Sequence, residues 1–210
     1  MKKLESSLFN MVIVLTSVAV IAGFLLGYVN KLTEEPIAQA NAKALNDGIA
    51  LVVPGFDNDP TAHPDTIDLD GKNYIIYKAT KGGKFIGAAI EATENGFGGV
   101  MKVLVGFDIE GKVIDYKLLQ QSETPGLGTK AADWFKKGGK GDIIGKNPGD
   151  KPLTVSKDGG DIDAITASTI SSRAFLKAIN AAYAAYAKQN GERVNEELNG
   201  ATGASQVEHN

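Results

Sequence analysis

Three stretches of different hydrophobic pattern follow one another along the chain. From Leu8 to Val29 it reads LFNMVIVLTSVAVIAGFLLGYV, 22 residues without a charged side chain. As a helix this is about 33 Å long, against a hydrocarbon core of about 30 Å. A cleaved secretory signal has an apolar region of only roughly 7–15 residues and ends at a small-x-small site. Here the run is longer and ends Gly27-Tyr28-Val29-Asn30, so the pattern predicts a transmembrane helix over 8–29. Lys2 and Lys3 precede it and Lys31 and Lys43 follow. The positive-inside count is therefore nearly balanced, and the free amino terminus tips residues 1–7 to the cytoplasmic side. The body of the protein then lies on the extracytoplasmic, periplasmic side.

Residues 30–70 form the second stretch. Thr33-Glu34-Glu35-Pro36 carries a Thr N-cap, acids suited to the helix dipole and Pro in the first turn, which predicts a new helix to about Val52. Ile37, Ala40, Ala44 and Leu51 give it a partial apolar stripe, the pattern of a stalk. Pro54 to Asp70, rich in Asp and Pro, reads as loop.

From residue 71 the period changes to that of short strands: Tyr74–Tyr77, Phe85–Ile90, Val100–Phe107 and Val113–Leu119. Lys81-Gly82-Gly83, Asn95-Gly96 and Glu110-Gly111 separate them as turns of an antiparallel meander. A short helix is expected over Ala131–Lys137. An amphipathic one follows over Thr169–Gln189, with Phe175, Ile179, Ala182, Tyr183 and Tyr186 on one face. Gly191 is expected to stop it, leaving a disordered tail over 191–210. The fold class is α+β: a transmembrane helix, a stalk helix, a twisted antiparallel sheet and a closing C-terminal helix, with the folded domain over 71–190.

Composition narrows the chemistry. The 210 residues contain no cysteine and two histidines, which excludes disulfides, thiolate-held clusters and a cysteine nucleophile, and leaves no metal site to expect. A net charge of −3 argues against a nucleic-acid partner. Of 25 glycines, 17 fall between residues 81 and 160, so the middle of the chain is turn-rich. Gly126-Leu127-Gly128-Thr129-Lys130-Ala131 fits a dinucleotide fingerprint, but residues 120–125 separate it from the preceding strand and the neighbours are hairpin-connected, which is the wrong context.

The informative cluster is Asp163-Ala164-Ile165-Thr166-Ala167-Ser168-Thr169-Ile170-Ser171-Ser172-Arg173. Five hydroxyl residues crowd the start of the last helix, where free backbone amides and the dipole favour an anion such as phosphate. The plainer alternative is that Ser168 or Thr169 is simply an N-cap.

Asp163–Thr169 is similar to the D-x-x-S/T-G-A-T motif of the FMN-binding domain family, and Gln121-Ser122-Glu123-Thr124-Pro125-Gly126-Leu127-Gly128 to its H-x-E-T-P-G-L-G segment. Gly96-Phe97-Gly98-Gly99 precedes and Trp134-Phe135 follows in the family's order. With its N-terminal span the chain resembles, along nearly its whole length, the G subunits of Rnf ion-translocating electron-transport complexes. The C subunits of sodium-pumping NADH:quinone reductases share the plan but are longer. The resemblance implies an electron carrier, incomplete as an enzyme by itself, linking ferredoxin and NAD oxidation states to Na⁺ or H⁺ movement. It implies FMN covalently attached through a phosphoester on Thr169. It also implies a flavin transferase that recognises Asp163 during maturation, and partner subunits of the membrane complex. Thr166, Ser168, Ser171 and Ser172 are expected around the phosphate. Glu123, Thr124, Gly126, Leu127 and Gly128 are expected against the flavin ring, with Pro125-Gly126 also suited to a type II turn. Ala167 and Ser168 stand where the family has Gly-Ala, and Gln121 where it has His.

Other residues stay open at this point. Trp134 and Phe135 suit ring stacking or the core, Arg173 suits the phosphate or solvent, and Lys136–Lys151 suits a solvated loop. Gly23 and Gly27 have the spacing for close helix contact. A different class of function, an anchored extracytoplasmic binding module without redox chemistry, fits the residues if the hydroxyls only cap the helix.

Overall fold

A computed structural model describes residues 8–69 and 71–203, with residues 192–203 described by their backbone alone. The expected cytoplasmic residues 1–7 and the end of the tail, 204–210, lie outside the described residues. The chain divides into two units, one up to Ala44 and one from Leu45 onward.

Helix α1 (Leu8–Val52) is a single element, not an anchor followed by a separately started stalk. Thr33 does not cap a new helix. Its Oγ1 donates to Val29 O at 2.9 Å and to Asn30 O at 3.2 Å, the back-bonding a hydroxyl adopts inside a helix, and Pro36 is an interior residue. The apolar side chains of the first unit are exposed, with Leu8, Phe24 and Leu26 each more than two-thirds accessible. The segment is long and apolar enough to cross a bilayer, and lipid is the solvent that suits such a surface, which marks it as a membrane anchor.

In the second unit, β1 (Asp65–Leu69), β2 (Lys72–Lys81), β3 (Lys84–Asn95), β4 (Val100–Asp108) and β5 (Val113–Gln120) pair antiparallel in sequence order. The four strands expected from the alternation are β2–β5. The fifth, β1, lies in the stretch read as loop, because it buries only Ile67 and pairs along one edge alone, which leaves a weak pattern.

Both faces of the sheet are covered. One meets Ile49, Val52 and Val53 at the end of α1, which pack with Tyr77, Ala79, Ala89 and Leu104. The docking residues are these, and not the predicted stripe, whose Ile37 and Leu51 are about half exposed. Helix α3 (Thr169–Gly203) covers the other face through Phe175, Ile179, Ala182 and Tyr186, as the spacing predicts. It runs through Gly191, which is not in the left-handed conformation that a glycine C-terminal cap adopts.

The short helix α2 (Ala131–Trp134), led by a 3-10 turn at Gly128–Lys130, ends earlier than expected. Phe135 settles into the core, stacked on Phe175 with ring centroids 4.5 Å apart, while Tyr116 meets Phe175 edge-on at 4.7 Å. The Tyr116 hydroxyl donates to Ala131 O at 2.7 Å, and burial raises its pKa above the ordinary tyrosine value.

Candidate functional site

Thr169 is the first residue of α3 and Ser168 its N-cap. The amides of Thr169, Ile170 and Ser171 therefore have no acceptor within the helix. The approach to the helix is a tight turn in which Ser168 N donates to Ile165 O at 3.0 Å and Ala167 takes the left-handed φ of 61°. A Cβ is a liability in this conformation, so Ala167 carries local backbone strain.

Counting protons decides what the serines can do. Ser171 donates its single proton to Glu123 Oε2 at 2.7 Å, so Ser168 is the donor in its 3.0 Å contact with Ser171 Oγ. Ser172 donates to Ser168 O and accepts from Ile165 N. All three are buried. In this arrangement the Ser171 and Ser172 protons are directed into the fold, and both side chains shape the helix start.

Glu123 has a similar structural task. It is 6% exposed, and its Oε1 accepts from Phe97 N at 2.8 Å and Gly98 N at 3.3 Å while Oε2 takes the Ser171 hydroxyl. One carboxylate thus joins the β3–β4 hairpin, the loop after β5 and the first turn of α3. Gly96 and Gly128 flank it so closely that a Cβ on either would collide with a Glu123 oxygen. Close approach to Glu123 explains Gly128. Gly126, at φ 75°, is the third residue of a β-turn closed by Leu127 N to Thr124 O at 3.1 Å, the type II arrangement.

Above this clasp opens a cleft of about 450 Å³, within the range of small-molecule sites. Thr124, Ala167, Ser168 and Thr169 contribute to its lining, and Phe97, Leu127 and Ile170 supply apolar walls that are 70%, 38% and 53% exposed. Exposed aromatic and aliphatic surface around a polar floor suits a flat ring system with a charged tail. Thr169 is half-buried.

A profile of the FMN-binding domain matches residues 96–184, which begin at the hairpin glycines and include the clasp, the cleft and Thr169. The chain is 33% identical over 169 residues to the G subunit of an ion-translocating oxidoreductase complex of Cereibacter sphaeroides, covering 77% of this chain and 76% of that one. It is 35% identical over 162 residues to the corresponding G subunit of Yersinia pestis, with 72% and 77% covered, and 33% identical over 181 residues to that of Aliivibrio fischeri, with 81% and 86% covered. The chain belongs to the family of ion-translocating oxidoreductase complex G subunits.

The site fits FMN, the cofactor for which the matched domain family is named. It offers free helix amides for a phosphate, a threonine hydroxyl beside them and apolar walls for a ring. Gln121 Oε1, at the end of β5, is buried without a hydrogen-bond partner among the described residues. Trp134 is half-buried, and its Nε1 donates to Asp163 O at 2.8 Å, which pins the start of the motif. The Asp163 side chain is exposed in a second recess of about 410 Å³ that also involves Thr166 and Lys157. Arg173 is paired with Asp158. Its Nε and Nη2 each lie 2.6 Å from an Asp158 oxygen, and this pairing holds the Asp158 carboxyl below the ordinary range.

Three residues of the site, Phe97, Lys157 and Ile170, are given no site role by the sequence reading. Phe97 is hidden in a glycine run that looks like a turn. Lys157, whose Nζ lies 3.2 Å from Thr169 Oγ1, is hidden in a lysine-rich loop.

Proposed function

We propose that the chain carries electrons within a membrane-bound ion-translocating complex through FMN joined as a phosphoester to Thr169. The observation that carries this reading is the position of Thr169 Oγ1. It is half-buried on the first turn of α3, beside unpartnered amides and a lysine, in the lining of an apolar-walled cleft. Phe97, Leu127 and Ile170 flank the ring, Thr124 offers it a hydroxyl, and the α3 amides face the phosphate. FMN supplies the redox chemistry when bound. The chain supplies attachment, orientation and a position at the membrane.

Partner subunits are those implied by the relatives' name, an ion-translocating oxidoreductase complex. Asp163 and Thr166, exposed on the side of the motif away from the clasp, are the surface a flavin transferase would read. The domain lies on the extracytoplasmic side, which protease accessibility in oriented vesicles tests.

The decisive experiment is peptide mass analysis of the full chain co-expressed with a flavin transferase. The Thr169 peptide gains the mass of FMN less water, and the band fluoresces under denaturing conditions. Thr169→Val keeps the shape, removes the hydroxyl and abolishes both signals. An unmodified Thr169 in native membranes, or labelling that survives in Thr169→Val, overturns the attachment. A colourless native protein would favour a binding module without redox chemistry.

A further inference from the structure

The cation beside Thr169 is held there by a device that the proposed attachment does not by itself explain. Lys157 donates to Thr169 Oγ1 at 3.2 Å and forms no ion pair among the described residues. Its neighbour Asp158 takes the fork of Arg173 through two bonds of 2.6 Å. Thr169 and Arg173 are four residues apart on α3 and so share one face. The consecutive pair Lys157-Asp158 thus meets the helix at two successive turns. The 3-10 turn that carries them, Ser156–Asp158, is tied in turn to the residue preceding the motif, because Ser156 N donates to Ile162 O at 2.8 Å beside the Val155–Ile162 bridge.

An exposed lysine loses more side-chain freedom when held against a neutral hydroxyl than so weak a bond returns. Against an anion the balance reverses. Nearby donors are engaged elsewhere in this arrangement: Ser168, Ser171 and Ser172 direct their protons into the fold, and Arg173 turns its Nε and Nη2 to Asp158. We propose that Lys157 is a binding residue for the phosphoryl group carried on Thr169, and that the Asp158–Arg173 pair is its positioning device. The α3 amides approach the non-bridging oxygens along the helix axis, and the lysine neutralises the single negative charge of the diester from the side. This rests on the ester proposed above.

The test uses the full chain, flavinylated by co-expression, with lysine side chains labelled with ¹⁵N. After mass analysis has established the ester, the Lys157 ammonium resonance is assigned by its disappearance in Lys157→Arg. In the parent it shows a hydrogen-bond coupling to the ester ³¹P, and that coupling falls or vanishes in Asp158→Asn while the melting transition stays cooperative. Lys157→Met moves the ³¹P resonance, and Lys157→Arg, which keeps a cation, moves it less. A modified Thr169 whose phosphorus couples to another lysine or to none, and whose shift is the same in Lys157→Met, overturns this assignment and leaves the ester standing. An unmodified Thr169 overturns both.

Discussion

Replacing Glu123 by alanine removes one carboxylate that serves three segments at once. Its bonds to Phe97 N, Gly98 N and Ser171 Oγ are 2.8, 3.3 and 2.7 Å long. Hydrogen bonds to a charged acceptor contribute roughly 1.5–3 kcal/mol each, but not all of that is lost. Phe97 is largely exposed, so the two hairpin amides regain water, and a truncated side chain recovers about 1–2 kcal/mol of conformational entropy. A net destabilisation of about 3 kcal/mol remains, concentrated at Ser171, which is fully buried. Glu123→Gln separates charge from connectivity. A glutamine can place its carbonyl toward the two amides and its NH₂ toward Ser171 Oγ, provided Ser171 then donates to Ser168 and the hydroxyl chain reverses. That variant costs about 1 kcal/mol. For a chain of this size these values correspond to falls in Tm of about 6–12 °C and about 2–4 °C. Thermal unfolding of the full chain in detergent, monitored by near-ultraviolet circular dichroism without flavin, measures both. Equal falls in the two variants, or an alanine variant that melts within about 2 °C of the parent, would refute the clasp.

Two further predictions use the same measurement. Ala167 holds a left-handed φ of 61°, so Ala167→Gly relieves about 1 kcal/mol of strain and gives back about as much in unfolded-chain entropy. Its net effect is within roughly 0.5 kcal/mol of zero, whereas Ala178→Gly, buried inside α3, costs about 1 kcal/mol or more. Burial pushes the Glu94 carboxyl up, but Lys72 and Lys177 outweigh it and hold the group below its usual value of 4.5. A depressed carboxyl contributes stability that is present above its unfolded pKa and lost as the pH falls through the folded one. The parent therefore loses stability on acidification below about pH 4.5 more steeply than Glu94→Gln; parallel curves would remove Glu94 from the acid response.

The strands and the core face of α3 were legible because their burial is one-sided and regular. Phe175, Ile179, Ala182 and Tyr186 repeat with the helical period and are all buried against the sheet. Where burial is weak the pattern fails: β1 buries Ile67 alone, and the docking of α1 rests on Ile49, Val52 and Val53, which crowd its last turn and form no stripe. Local stop and start rules failed for a different reason. Thr33 with Pro36 is helix-start chemistry and Gly191 helix-stop chemistry in isolation, but each sits in a helix that continues on both sides, and propagation costs far less than nucleation. At the site, motif spacing located Thr169 and the loop after β5. Spacing carries no information about where a hydroxyl proton goes, so the bonds of Ser168, Ser171 and Ser172 could be read only from the fold.

That distinction alters what the motif residues are for. Glu123 and Ser171 lie 48 positions apart and share a hydrogen bond, so the two halves of the pattern form one structural unit before any ligand arrives. The groups left facing outward are Thr169, Lys157, the helix amides and the exposed surfaces of Phe97, Leu127 and Ile170. Buried serines and a buried glutamate thus fix the backbone, and a different, more exposed set lines the cleft. A seat organised in this way loses little further freedom on attachment. It also follows that substitutions in the two sets separate by assay: those at Glu123 or Ser171 lower the melting temperature of flavin-free protein, whereas those at Phe97 or Lys157 leave it in place, and on the proposed attachment they change the flavin signal instead.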